Sequence, residues 1–333
     1  MVAAVETMAY ASKGGVPWHG MGFPVNDKMS PAQMLKAAKL DWTVSKQPIF
    51  AKRRDGSLHH IDGEYALVRD SDESVLTMVG SVYKPTQNAV AIDFFKKFVK
   101  AGQMTMETAG SLWNGRFVWA LARVSNGGTF SIGKSDEVRS YLLLCSPHAH
   151  GKALVISFTP IRVVCWNTLC FALGSNLKGK EGAFRMPHTM EFNDSVRQRA
   201  EEALGLAHKQ AAEFKQAALL LSKKRAKAED VENYFCEVLQ FDAEAVKKAD
   251  KAKKDGTVRE PIMLPKFRHA LEYAPGQQLG SALGTWWGAL NAVTHVVDHE
   301  VGRDRQTALK TAWLGAKAEV KRRAVDLALK AAA

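Results

Sequence analysis

The period of the apolar residues changes near residue 190, and that change limits the folds open to this 333-residue chain. Before it, apolar runs of strand length recur between turn residues. Val75 to Val82 is rich in β-branched side chains, and Phe117 to Val124, Tyr141 to Cys145 and Leu154 to Phe158 follow. Asp55-Gly56, Asn114-Gly115, Asn126-Gly127-Gly128 and His150-Gly151 fall between such runs, where hairpins need residues that tolerate positive φ. A meandering, mainly antiparallel sheet follows. Gln87 to Ala101 reads as a helix packed on it, with Val90, Phe94 and Phe98 on one stripe.

After Pro187 the spacing becomes helical. Asn193 or Asp194 can cap a helix whose apolar residues recur from Val196 to Leu221. Further helices are predicted over Val231 to Phe241, Ser281 to Glu300 and Thr307 to Lys330, with a lysine-rich connector from Ala243 to Pro265. The fold class is α+β: an antiparallel sheet of hairpins with flanking helices, then a helical C-terminal part. The expected domains are a strand-rich core over 1–190 and a helical domain over 191–333.

Composition narrows the class. With 46% hydrophobic and 24% charged residues, the chain matches ordinary globular usage and not a disordered or fibrous one. No stretch reaches the roughly 18 apolar residues of a membrane span, and Met1 to Tyr10 shows no cationic segment before an apolar core. The expectation is a soluble, cytoplasmic protein without a membrane partner. Cys145, Cys165, Cys170 and Cys236 lack CxxC spacing, which predicts reduced, buried thiols and no zinc ribbon.

Charge carries the first functional hint. Forty-six Lys and Arg oppose 34 Asp and Glu, a net +12 that favours a polyanionic partner, nucleic acid before membrane surface. The surplus is six on either side of Leu177, so no tail holds it. Clusters stand at Lys52 to Arg54, Lys96 to Lys100, Lys223 to Lys227 and Lys321 to Arg323; each alone reads as a solvated helix face or turn.

The catalytic motifs fail one by one. Gly174 to Lys180 matches GxxxxGK, but Glu181 stands where a magnesium-binding hydroxyl belongs, and Trp166 to Leu173 reads as helix where a strand is required. What survives is a basic loop able to touch phosphates. His295 and His299 share a helix face, yet Val296 replaces the general-base glutamate of HExxH. Asp298 and Glu300 are the carboxylates that could join them around a metal. No GxSxG occurs. No catalytic residue, cofactor or metal site is assigned.

The strongest constellation is Ile161-Arg162-Val163-Val164-Cys165-Trp166-Asn167, a strand-like run leading into a predicted helix start. Arg162 alternates with apolar neighbours and so suits the open face of a sheet. Arg supplies a phosphate fork, Trp a stacking surface and Asn paired donor and acceptor groups, a set suited to single-stranded nucleic acid. The structural alternative is a core Trp and a capping Asn. Basic and aromatic residues also interleave at Tyr83-Lys84, Trp113-Asn114-Gly115-Arg116 and Phe184-Arg185.

Several of these segments carry a family resemblance. Pro17-Trp18-His19-Gly20-Met21-Gly22, Leu40-Asp41-Trp42-Thr43-Val44, Tyr83-Lys84-Pro85-Thr86-Gln87-Asn88, Arg162 to Leu169 and Trp287 to Thr294 with Asp298-His299 together resemble the phage/plasmid-like protein family, a domain of unknown function. The resemblance implies a cytoplasmic bacterial protein carried on phage, prophage or plasmid DNA. Trp166 departs from the polar residue expected there. At fold level only, the order of hairpins, sheet and helices resembles single-strand annealing proteins of the Red-beta and Rad types. That analogy implies a homo-oligomer, ring or filament, that anneals single-stranded DNA without ATP, with an exonuclease as candidate partner.

The expected nucleic-acid contacts are Lys84, Arg116, Lys152 and Arg162 from the sheet side, stacking on Trp166 or Trp113, Asn167 beside them, and Lys178, Lys180 and Arg185 extending the track. The alternatives are a metal-dependent nuclease using His295, Asp298 and His299, and a non-enzymatic accessory protein of a phage or plasmid.

Overall fold

The structure, a computed structural model, describes residues 5–12, 22–125, 127–162, 167–168, 183–241, 261–301 and 316–333. It is α+β, with a helical C-terminal segment. Two compact units emerge, and they are interleaved along the chain: Met1–Asn126, Tyr141–Phe158 and Gly179–His208 form the first; Gly127–Ser140, Thr159–Lys178 and Lys209–Ala333 form the second. The boundary expected at 190 falls inside the first unit.

The first unit is built on β1 (Val5–Ala11), β2 (Phe23–Val25), β6 (Met104–Leu112), β7 (Phe117–Val124), β9 (Asp136–Pro147), β10 (Ala153–Arg162) and β12 (Ala183–Pro187). These run in the order β10-β9-β7-β6-β1-β2, with β12 on β10. β1 runs parallel to β2, whereas β1 with β6, β6 with β7, β7 with β9 and β10 with β12 are antiparallel. The local turn chemistry explains much of this: Asn114-Gly115 joins β6 to β7, and His150-Gly151 joins β9 to β10, as the dipeptides predict.

A separate three-stranded sheet holds β3 (Val44–Lys52), β4 (Leu58–Arg69) and β5 (Ser74–Gly80) in that order. α1 (Pro31–Ala37) starts with a capping box in which Ser30 and Gln33 satisfy each other's backbone N–H groups. The helix predicted over Gln87 to Ala101 is two short ones, α2 (Asn88–Asp93) and α3 (Lys96–Lys100), broken where the adjacent Phe94 and Phe95 are both buried. On a continuous helix neighbouring side chains diverge by about 100°, so the break lets both rings enter one core. That core joins them to Met34, Leu40, Val118, Ala120, Leu142, Leu144, Leu154, Ile156 and Met186.

The second unit holds β8 (Thr129–Ile132), hairpinned on the first residues of β9, and β11 (Asn167–Thr168), paired with the last residues of β10. Its helices are α4 (Asp194–Lys223, from Lys209 onward), α5 (Ala228–Val238), α6 (Met263–Tyr273), α7 (Trp286–His295) and α8 (Ala316–Ala332). Between α7 and α8 the chain makes a π-helical turn, Val296–Glu300. The buried Asp136 carboxylate accepts from Ser281 Oγ at 2.6 Å and Trp287 Nε1 at 2.9 Å, while Phe130 and Trp287 flank Phe214. Among the described residues, no helix is long and apolar enough to cross a membrane.

Candidate nucleic-acid interface

One end of the first unit's sheet gathers exposed cations from four places far apart in sequence. β7 begins and β9 ends there, since Phe117 pairs with Pro147; β10 begins and β12 ends there, since Ala153 pairs with Pro187. Arg116 immediately precedes β7, and its carbonyl accepts from His148 N at 2.9 Å. Lys152 immediately precedes β10. Lys84 N donates to His188 O at 2.5 Å, which brings Lys84 beside the end of β12. Arg185 lies opposite Val155, two residues or roughly 7 Å in from that end.

All four side chains are exposed. Among the described residues, Lys84 pairs with Glu191 at 3.1 Å, and Arg116, Lys152 and Arg185 make no ion pair. The strands themselves explain why the cations sit on the rim: β7 and β9 are buried on both faces for most of their length. The cations expected on an open sheet face therefore stand at or near the strand ends.

A buried polar layer fixes these turns. Trp113, Asn114 and Gly115 all have positive φ (53°, 54° and 80°), a rare run that reverses the chain tightly before Arg116. A Cβ on Gly115 would lie 3.0 Å from Arg69 Nη1 and 3.2 Å from the Trp42 ring, so only glycine lets the turn approach them. Arg69 is held by Glu6 at 2.6 Å and by a bidentate pair with Asp72, and lies over Trp42. These hydrogen bonds hold the Asp72 carboxyl well below the usual carboxylate range.

Next to this lies an imidazole pair. Asn88 Nδ2 donates to the carbonyls of Leu40 and Trp42 at 3.0 and 3.3 Å, so its Oδ1 accepts from His148 Nε2 at 2.8 Å. His188 Nδ1 faces Lys84 O at 3.4 Å and stacks on Tyr83 at 4.8 Å between centroids. His148 therefore keeps Nδ1 as an acceptor, whereas the His188 ring lies between the Lys84 and Pro147 carbonyls. Among the described residues, His148 Nδ1 has no hydrogen-bond partner. Burial pushes His148 down to about 3, with the neighbouring His188 adding to the fall, and burial lowers His188 too. Both are neutral at pH 7, so they brace the rim without adding charge to it.

The remaining predicted contacts do not join this rim in the described residues. Arg162 pairs with Asn167 across β10 and β11 in the second unit. That pairing also replaces the helix start predicted at Trp166 with a strand over Asn167–Thr168. Trp166, Lys178 and Lys180 lie outside the described residues. Trp113 is half-buried with its ring edge-on to Phe117 at 6.0 Å, a packing role more than an open stacking platform.

The cluster expected to suit a metal has a different character. Asp298 takes the ammonium of Lys321 at 2.8 Å, and Lys321 is fully buried. The His295 and His299 rings lie 4.9 Å apart, and His295 Nε2 is 3.7 Å from Glu300. Burial, then His299, push His295 down to about 4. A buried ammonium on the central carboxylate opposes a divalent cation, and among the described residues no group of three or more His, Cys, Asp or Glu could hold one. Nothing here favours the nuclease reading.

Sequence reasoning missed three parts: the Arg69–Glu6–Asp72 network, the His148–His188 pair and the buried Lys321. The visible signal for the first two was the Trp-Asn-Gly turn and the His-rich turn at 148–150.

A family model described as a domain of unknown function, DUF932, matches residues 75–325. The chain belongs to the DUF932 family. No curated protein and no solved structure matches it. The DUF932 match opens inside β5, so the resembling motifs before it, Pro17 to Gly22 and Leu40 to Val44, lie outside the matched range, whereas the four rim cations lie within it. Membership brings no assigned activity, so the DUF932 chain must be read from its own surface.

Proposed function

We propose that this DUF932 protein binds single-stranded DNA along the basic rim of its first unit and anneals complementary strands without nucleotide hydrolysis. In this reading it is a recombination or replication factor of a phage or plasmid, cytoplasmic and homo-oligomeric, working with an exonuclease. One observation carries the binding step: Lys84, Arg116, Lys152 and Arg185 are exposed at one end of the sheet, and among the described residues only Lys84 of the four is ion-paired, with Glu191. Such an arrangement neutralises backbone phosphates and releases their counterions, without reading base edges. Arg162, Trp166, Asn167, Lys178 and Lys180 remain candidates for extending the track.

The test mixes the purified protein with two complementary labelled strands, without nucleotide or metal. Duplex formation faster than the spontaneous rate supports annealing. An unchanged rate contradicts it, and strand cleavage would replace it with an enzymatic reading.

A further inference from the structure

The distal half of the β3–β4 hairpin is a second basic surface of a different kind. β5 pairs only with Glu64–Arg69 of β4, so the stretch in which Phe50 faces His60, Ala51 faces His59 and Lys52 faces Leu58 is a two-stranded ribbon. Strand alternation puts Phe50, Lys52, Leu58 and His60 on one face. That face is open: Phe50 is 50% exposed and Leu58 67%. An exposed two-stranded ribbon with apolar residues outward is marginal by itself and gains from a ligand.

The tip shows which ligand. Arg53 N donates to Ser57 O at 2.8 Å and Gly56 N to Arg53 O at 3.0 Å, which gives the turn a defined shape. Asp55 Oδ1 accepts from Ser57 N and Oγ inside that turn, at 2.9 and 2.7 Å, and Arg53 Nη2 lies 2.9 Å from His59 Nδ1. Asp62 is engaged by His60 at 2.8 Å. Lys52, Arg53 and Arg54 are exposed, and among the described residues none of them makes an ion pair. Three consecutive cations against the one carboxylate of the turn, beside a half-exposed phenyl ring, would repel the same tip of a second copy. They match a chain of phosphates with stackable bases.

We infer that the β3–β4 ribbon is a contact for a single-stranded polynucleotide, with Phe50 stacking on a base and Lys52, Arg53 and Arg54 on phosphates. This rests on the nucleic-acid reading above and adds to the rim an element outside the range matched by the family.

The test measures binding of the full-length protein to a labelled oligothymidylate by fluorescence anisotropy over a salt series, with sedimentation to follow self-association. Two exposed-site variants are compared with the wild type: Lys52→Glu/Arg53→Glu/Arg54→Glu, and Phe50→Ala. Three lost phosphate contacts should make the log–log salt slope shallower by about 2. Loss of one stacked base should weaken binding about fivefold or more. Wild-type binding with both variants equal to it overturns the ribbon proposal while leaving the rim reading intact. An oligomer that dissociates in the variants at unchanged affinity per protomer also overturns it, and assigns the ribbon to a second copy. Absence of wild-type binding sinks the underlying reading, and the ribbon proposal with it.

Discussion

The rim of the first unit and the π-helical turn of the second use the same residue types to opposite ends. At the rim, lysine and arginine are exposed at and near strand ends, and among the described residues one of the four cations is ion-paired. At the π-helical turn, Lys321 is fully buried against Asp298, and His295 sits half-buried between His299 and Glu300. A charge buried with its counterion is committed to the fold, because desolvation is already met by that partner. A charge in water without a counterion is available to a ligand. Formal charge in the sequence does not separate these two fates; burial and pairing do.

The largest effect should come from breaking the committed pair. Lys321→Ala leaves Asp298 without its ammonium and should cost about 3–5 kcal/mol of stability in chemical denaturation. Binding of single strands by the folded fraction should not change. A loss of binding without loss of stability would reverse the contrast between the two regions.

Acid sharpens the comparison next. The folded-state value of His148 is depressed to about 3 from an ordinary 6.5, so the unfolded chain binds the extra proton between those values. Stability is then fully present above about pH 6.5 and is lost as pH falls toward 3. The slope from this residue is up to about 1.4 kcal/mol per pH unit. His148→Gln should flatten the acid limb of denaturation midpoint against pH; an unchanged limb would mean that His148 is protonated in the fold.

Much of the sheet was legible, because turn chemistry and apolar runs are local signals. Phe117 to Val124 is β7 as expected, and Asp194 begins α4. The helix expected from Ser281 starts five residues later, at Trp286: Gly284 takes φ of 66°, and Thr285 Oγ1 caps the helix by accepting from Gly288 N at 3.2 Å. Pairing between distant segments was not legible. Asn167–Thr168 looked helical from its own residues and is a strand because Ile161 and Arg162 lie beside it. The charge clusters misled for the same reason. Lys97 is exposed, as a solvated helix face requires, but Lys321, from a run that looks equally solvated, is buried. The rim draws single cations from four separate segments, three loops and the strand β12, which no window along the chain can show.

At the rim, Lys84→Glu/Arg116→Glu/Lys152→Glu should leave stability within about 0.5 kcal/mol per site. It should weaken single-strand binding and reduce the salt slope by about 2. A thermal melt beside the binding titration checks both. The smallest effect is expected for Glu191→Gln. Freeing Lys84 from an exposed pair worth at most about 1 kcal/mol should strengthen binding, by less than about fivefold. Weaker binding would show that Glu191 positions Lys84 for its ligand.

The salt series on the unmodified protein with a single-stranded oligonucleotide is the most direct check that the rim is a ligand surface. Four rim cations meeting phosphates give a fall of log affinity with log salt of at least about −2 to −3, steepened to about −5 where the three ribbon cations also engage. A flat response over that range, or no binding at low salt, would show that those side chains serve only to hydrate the surface.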